Sequence, residues 1–138
     1  MNIYTQGTFD LFHIGHLKLL ERCRDIANEG KVIVGLLSDE AIEKYKGSVP
    51  IIPYEYRKEV LMGCRYVDMV EKSDIYDIEM KILNPFIDFI IVGSDWAKKD
   101  LATHYGVDKD MLEDKLIYLP YTDKESSTKI KERIQNAG

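Results

Sequence analysis

At 138 residues, 45% hydrophobic and 31% charged, the chain has the make-up of one folded domain able to bury a core, which excludes a low-complexity or disordered polypeptide. Its formal net charge of −5 excludes a general nucleic-acid surface, which needs basic stripes; an anionic ligand has to be held by a local cluster of cations and backbone N–H groups. No apolar run approaches the roughly 18 residues needed to span a membrane, and the opening MNIYTQG lacks the basic and apolar regions of a signal peptide.

In chain order, residues 2–6 (NIYTQ) predict a strand and 15–28 a helix, in which Leu17, Leu19, Leu20, Cys23 and Ile26 keep one apolar face. Gly30 ends that unit, as a glycine just past a helix does. Residues 31–37 (KVIVGLL) are a near-continuous apolar strand, as in a parallel sheet covered on both faces. SDEAIEKY reads as a short helix, KGSVPIIP as a loop, and 54–64 as a helix leading into VDMVEK. A helix around 77–83 and the strand 88–93 (DFIIVG) follow. The stretch 96–114 is polar and poorly periodic, helical pieces with loops; 115–120 (KLIYLP) is the last strand and 127–135 the last helix. Cys23 and Cys64 fall in predicted helices without metal-ligand spacing and read as buried free thiols, which suits a reducing cytoplasm.

Strand–helix units repeated at this length imply an α/β fold, a doubly wound parallel sheet. Ligands of such sheets sit in the crevice beyond the carboxyl ends of the strands. The unusual residues fall there: QGTFD after the first strand, SDE with Asp39 after the second, GSDW after the strand ending at 93, and PYTDKESST after the last.

The stretch GTFDLFHIGH (7–16) carries the most chemistry. Gly7 and Thr8 let the backbone approach a ligand and present N–H groups at a strand end, and the helix beginning near Gly15 adds its positive dipole end, a seat for phosphate. His13 and His16, at i and i+3, lie on one side of that first turn, and Gly15 removes a side chain that would block the approach. Together they offer two donors to the oxygens of one phosphate or of a leaving pyrophosphate. A zinc site would need two more ligands, and the only other histidine, His104, lies in a polar segment where an exposed side chain is expected, so no resident metal is predicted. No G-K-[ST] closes a Walker loop.

HIGH preceded by GTFD resembles the nucleotidylyltransferase superfamily, which shares its H-x-G-H signature with class I aminoacyl-tRNA synthetases. The fuller GTFDLFHIGHLKLLERCRDIA looks like the cytidylyltransferases that make CDP-glycerol, CDP-choline and CDP-ethanolamine. KG at 46–47, CRYVDMV at 64–70, VGSDW at 92–96 and SSTKIKERI at 126–134 follow in family order. The resemblance implies a Rossmann-like fold and a reaction in which a phosphate oxygen of a small phosphorylated alcohol attacks the α-phosphorus of CTP in line and pyrophosphate leaves. The nucleophile is already an anion, so catalysis rests on positioning and charge stabilisation rather than on a general base.

The same resemblance implies roles for single residues. His13 and His16 hold transition-state phosphate oxygens. Gly7, Thr8 and Phe9 stand near the triphosphate, with Asp39 on the nucleotide side. Asp10 helps with magnesium, expected to accompany CTP, or orders the turn. Lys46, on a loop beside Gly47, reaches the α- or β-phosphate as a mobile point charge. Arg57 and Arg65 contact phosphate, Arg65 alternatively pairing with an acid at a subunit interface. Gly93, Asp95 and Trp96 enclose the nucleoside; Thr122, Ser127 and Thr128 face the nucleotide phosphates, or the last two hydroxyls cap the final helix. Where the family reads R-T-x-G-x-S-[ST], this chain has Tyr121 for the arginine and Lys124 for the glycine, which leaves Lys124 as the substitute cation. Small members of the family pair through the first helix and the CRYVD block, so a homodimer is expected. GTFDLFHIGHLKLLER, SSTKIKE and the short chain look most like glycerol-3-phosphate cytidylyltransferases, whereas YKGSVP and CRYVD look equally like the choline- and ethanolamine-phosphate enzymes. An ATP-dependent adenylyltransferase of the same fold and a catalytically silent nucleotide sensor are the alternatives.

Overall fold

The apolar runs of the sequence become parallel strands. A computed structural model describes residues 1–93, 100–119 and 127–137. Its strands are β1 (Ile3–Gly7), β2 (Val32–Leu37), β3 (Met69–Ser73), β4 (Phe89–Gly93) and β5 (Leu116–Leu119). They form one all-parallel sheet in the order β3-β2-β1-β4-β5. All six residues of β2 are buried, as its unbroken apolar run requires of a strand covered on both faces. β3, at the edge, carries Glu71 and Lys72, charges that discourage further strand pairing.

Between the strands run α1 (Ile14–Ala27), α2 (Asp39–Lys46), α3 (Tyr54–Met62), a short 3₁₀ turn (Ile75–Asp77) with α4 (Ile78–Leu83), α5 (Leu101–Tyr105), α6 (Lys109–Lys115) and α7 (Ser127–Ala137). Side chains of α2, α4, α5 and α6 bury one face of the sheet around Tyr4, Ile33 and Ile90. Those of α1 and α3 bury the other against Ile3, Val32, Val34, Leu36 and Ile91. The sheet is therefore doubly wound, and its direction of winding reverses between β1 and β4, where a ligand crevice belongs. The pairing opens it: β1 and β2 are in register over five residues, but β1 and β4 only at Ile3↔Phe89 and Tyr4↔Ile90. The two central strands part toward their carboxyl ends.

Some elements differ from their sequence reading. Lys46 is the last residue of α2 and not a loop residue; Gly47, at φ 80, takes the left-handed conformation that stops the helix. Cys64 lies past the end of α3 and is half-buried, whereas Cys23 is fully buried in α1. In the stretch without clear periodicity, α5 and α6 are each started by an aspartate cap, Asp100 accepting from the Thr103 N–H and Asp108 from those of Asp110 and Met111. Helices of 5 and 7 residues are too short to show a 3.6-residue period. Among the described residues no helix is long and apolar enough to cross a membrane.

Candidate active site

The turn after β1 is held in a conformation it would not choose alone. Phe9 and Leu11 both have φ 49, the left-handed region that side chains with a Cβ avoid at a cost of order 1 kcal/mol or more each. Three contacts over-determine it. The buried Phe9 ring lies on Gly7, where an added Cβ would stand 2.8 Å from Phe9 Cε2. The Asp10 carboxylate accepts the N–H groups of Ile51 at 2.8 Å and Ile52 at 2.9 Å. The Ser127 hydroxyl donates to the Asp10 carbonyl at 2.6 Å, tying the start of α7 to the same turn.

The two histidines cap α1 reciprocally. His13 is the N-cap, and its Nδ1 accepts the Gly15 N–H at 3.1 Å. His16 Nδ1 reaches back to accept the His13 N–H at 3.2 Å. This is a capping box with imidazoles in place of the usual hydroxyl and carboxylate, and it stacks the rings at a centroid distance of 3.8 Å. Because each Nδ1 accepts a backbone N–H, the proton of either neutral ring sits on Nε2. Each ring thereby presents Nε2–H as a donor. Burial, reinforced by the neighbouring His13 and only partly offset by Asp10, lowers the His16 pKa to about 3.

The sign of that shift makes a prediction. The folded pKa lies below the free value of 6.5, so acid protonates the unfolded chain first; the contribution to stability is complete above pH 6.5 and is lost as pH falls. The His16 ring signals in an NMR titration are expected to stay flat from pH 8 to about 5. Between pH 7 and 5 the wild type should lose about 2 kcal/mol more stability than His16→Asn. A His16 ring that titrates near 6.5 would contradict this electrostatic description.

The opening between β1 and β4 is a cavity of about 530 Å³. Gly7, Thr8, Phe9, Asp10, His13, His16, Lys46, Gly93, Ser127 and Thr128 line it, so residues from four separate parts of the chain meet there. Desolvation, and then the like charge of Lys131, holds the Lys46 ammonium below the usual lysine range. Asp95, Trp96, Thr122, Tyr121 and Lys124 lie outside the described residues.

Three of the expected phosphate or nucleotide residues point elsewhere. The Arg57 side chain is wholly buried beneath the site: its guanidinium donates to the carbonyls of Thr8, Leu37 and Ile52 and pairs with Asp39 at 2.6 Å. It ties together the ends of β1 and β2 and the loop before α3. Asp39 also accepts the Tyr54 N–H, at the start of α3. Arg65 is exposed, donates to the Tyr66 hydroxyl and lines a second, shallower cleft with Phe12, Leu17 and Val60.

The cavity also holds residues that motif reading passes over: Arg22, Tyr45, His104, Tyr105 and Lys131. His104 is half-buried in the cavity wall, not exposed, because its ring packs edge-on against Tyr45, with centroids 5.0 Å apart. Lys131 was legible: it follows Ser127 by four residues, so the two share a helix face. Arg22, six residues beyond His16 on α1, falls off the His16 face by helical spacing and has no such signal. Tyr45 and Tyr105 carry no such signal. Among the described residues no group of three or more His, Cys, Asp or Glu side chains could hold a metal ion.

A family model described as cytidylyltransferase-like matches residues 4–133. A glycerol-3-phosphate cytidylyltransferase of Bacillus subtilis (strain 168) is 36% identical over 133 residues, covering 96% of this chain and 95% of the relative. An FAD synthase of Pyrococcus abyssi is 32% identical over 140 residues, 97% of this chain and 92% of its own length. Among solved structures, a lipopolysaccharide core biosynthesis protein of Thermoplasma volcanium superposes with a TM-score of 0.67 at 19% identity over 91% of this chain and 98% of that one, a likeness of fold.

Proposed function

The chain belongs to the cytidylyltransferase-like family and is a nucleotidyltransferase; from that premise we propose that it transfers CMP from CTP to glycerol-3-phosphate, forming CDP-glycerol and pyrophosphate. A phosphate oxygen of the acceptor forms the new bond to the α-phosphorus of CTP as the α–β bridging bond breaks, and the electron pair leaves with pyrophosphate. The observation that carries the reading is the near-full-length likeness to a glycerol-3-phosphate cytidylyltransferase, together with two imidazole N–H donors at the mouth of a parallel-sheet crevice. Fixed imidazole N–H donors in a partly desolvated site suit a reaction that needs charge stabilised and no proton removed. In this reading His13, His16 and the start of α1 meet the phosphate oxygens, with Lys46 and Lys131 neutralising charge from opposite walls. Gly93, Ser127 and Thr128 complete the nucleotide side, joined by Asp95, Trp96 and Thr122.

Magnesium enters this proposal on the CTP phosphates. Asp10, the acid of the turn, already spends both oxygens on the Ile51 and Ile52 N–H groups, which fits a turn-ordering role and not a resident metal site. No step depends on a protein-held ion. We take the compartment to be the cytoplasm, where free CTP is found. The proposed enzyme is a homodimer: Val60 and Met62, 48% and 64% exposed beside the cleft of Phe12, Leu17 and Cys64, form an apolar face that a second copy would cover. Sedimentation at micromolar concentration should show a dimer, and a species of only about 16 kDa would contradict it.

The relative named FAD synthase supports the second reading, adenylyl transfer from ATP. Steady-state kinetics separate the two. The proposal expects kcat/KM for glycerol-3-phosphate with CTP to exceed that with ATP, and to exceed those for choline phosphate and ethanolamine phosphate with CTP. A reversed order for either comparison would overturn that half of the assignment. Lys46→Ala should cost activity and little else: kcat/KM falls about 100-fold while stability, as for other exposed positions, changes by about 0.5 kcal/mol or less. A larger loss of stability than of activity would mean that Lys46 serves α2 and not the ligand.

A further inference from the structure

The cavity has two unlike walls. On the α1 and α7 side stand His16, Arg22, Ser127, Thr128 and Lys131, all suited to phosphate. On the α2 and α5 side stand Tyr45, His104 and Tyr105, which phosphate chemistry leaves unused.

Tyr105 is the informative member. It is 5% exposed, with its ring packed into the core cluster that contains Leu37, Val92 and Leu101. Yet it lines the cavity, and among the described residues its hydroxyl has no hydrogen-bond partner. A phenol whose ring is buried but whose hydroxyl faces a cavity without a protein partner is free to bond water or a ligand there. The ring is anchored in the core, and the hydroxyl, which is not sealed off, is presented at the cavity edge. Burial raises its pKa well above the usual tyrosine value, so it remains a neutral O–H that both donates and accepts.

Tyr45 stands nearby on the last turn of α2, beside the Lys46 ammonium, and braces its ring against His104. The charges decide what this wall can take. Among the described residues three cations, Lys46, Lys131 and Arg22, line the cavity with one carboxylate, Asp10, which is already bonded to two backbone N–H groups. Among the described residues a quaternary or primary ammonium would meet like charge and no free counter-ion. A neutral, hydroxylated carbon chain carrying a phosphate would meet none of this repulsion.

We propose that Tyr105 is a specificity-determining residue that hydrogen-bonds a hydroxyl of the acceptor's carbon chain, with Tyr45 and His104 as the wall beside it, so that the enzyme selects polyol phosphates. The inference rests on the cytidylyl-transfer reading of this site and names the group that reads its second substrate. A site built to bond a hydroxyl discriminates strongly against the analogue that lacks it, since the protein group is then left unpaired.

The test is Tyr105→Phe, which removes one oxygen and leaves the anchoring ring. Its kcat/KM for glycerol-3-phosphate is expected to fall about 10- to 100-fold, while the Kd for CTP, measured by calorimetry without acceptor, stays within about twofold. With propyl phosphate, which has no free hydroxyl, wild type and variant should be equally poor. Equal losses with both acceptors, or weakened CTP binding, would overturn the inference, the latter indicating that Tyr105 serves the nucleotide. An unchanged variant beside an active wild type would also overturn it while leaving the cytidylyl-transfer reading intact. A wild type that makes no CDP-glycerol at all would bring down that reading and the inference with it.

Discussion

Replacing His16 by alanine is expected to lower kcat by about 10²- to 10³-fold, the order found for removing one preorganised donor to a developing oxyanion, while the Kd for CTP changes far less. The split follows from the geometry. His16 Nδ1 is committed to the His13 N–H, so the ring is fixed, and its Nε2–H is aimed before any ligand arrives. A donor of this kind contributes most where charge grows during the reaction and least in the ground state. The substitution also removes half of the capping box, which should cost about 1 kcal/mol of stability. Rates are therefore to be measured well below the melting transition. His13→Ala should behave alike, with a rise in KM where ground-state phosphate contact is also lost. A folded His16→Ala protein turning over at the wild-type rate would refute the role.

Arg57→Ala is expected to be the most destabilising single change near the site, by about 3 kcal/mol or more in urea unfolding. The guanidinium is fully buried, and its loss strands the carbonyls of Thr8, Leu37 and Ile52 while unpairing Asp39. Arg57→Lys keeps the charge but cannot reproduce the planar fork, so it should recover only part of the loss. Because Thr8 and Leu37 sit at the ends of β1 and β2, activity should fall with stability in both variants. A change below about 1 kcal/mol would mean that water replaces the arginine at little cost, and a ligand-facing role for Arg57 would then regain weight.

What the sequence discloses divides along physical lines. Periodic features are legible: the buried run Val32–Leu37, the apolar face of α1 and the strand at Phe89–Gly93 all follow from spacing alone. So is the place of the crevice, because special residues accumulate after the strands. Long-range partners are not. Asp10 reads equally as a magnesium ligand or a turn former until Ile51 and Ile52, more than 40 residues away, supply their N–H groups. Arg57 reads as a phosphate ligand because arginines in motifs often are. Only the meeting of three chain segments around it shows why a cation is needed where no ligand reaches. The aromatic wall joins the end of α2 to α5, two short elements about 60 residues apart with no shared pattern. His104, an unremarkable residue in a polar stretch, enters the site through that packing.

The most direct test of cytidylyl transfer is phosphorus NMR of a reaction containing CTP, magnesium and glycerol-3-phosphate labelled with ¹⁸O on its phosphate. Direct attack by the acceptor predicts CDP-glycerol and pyrophosphate in equal amounts, with the label found entirely in CDP-glycerol and none in pyrophosphate. CTP left intact, CMP released to water, or label appearing in pyrophosphate would contradict it.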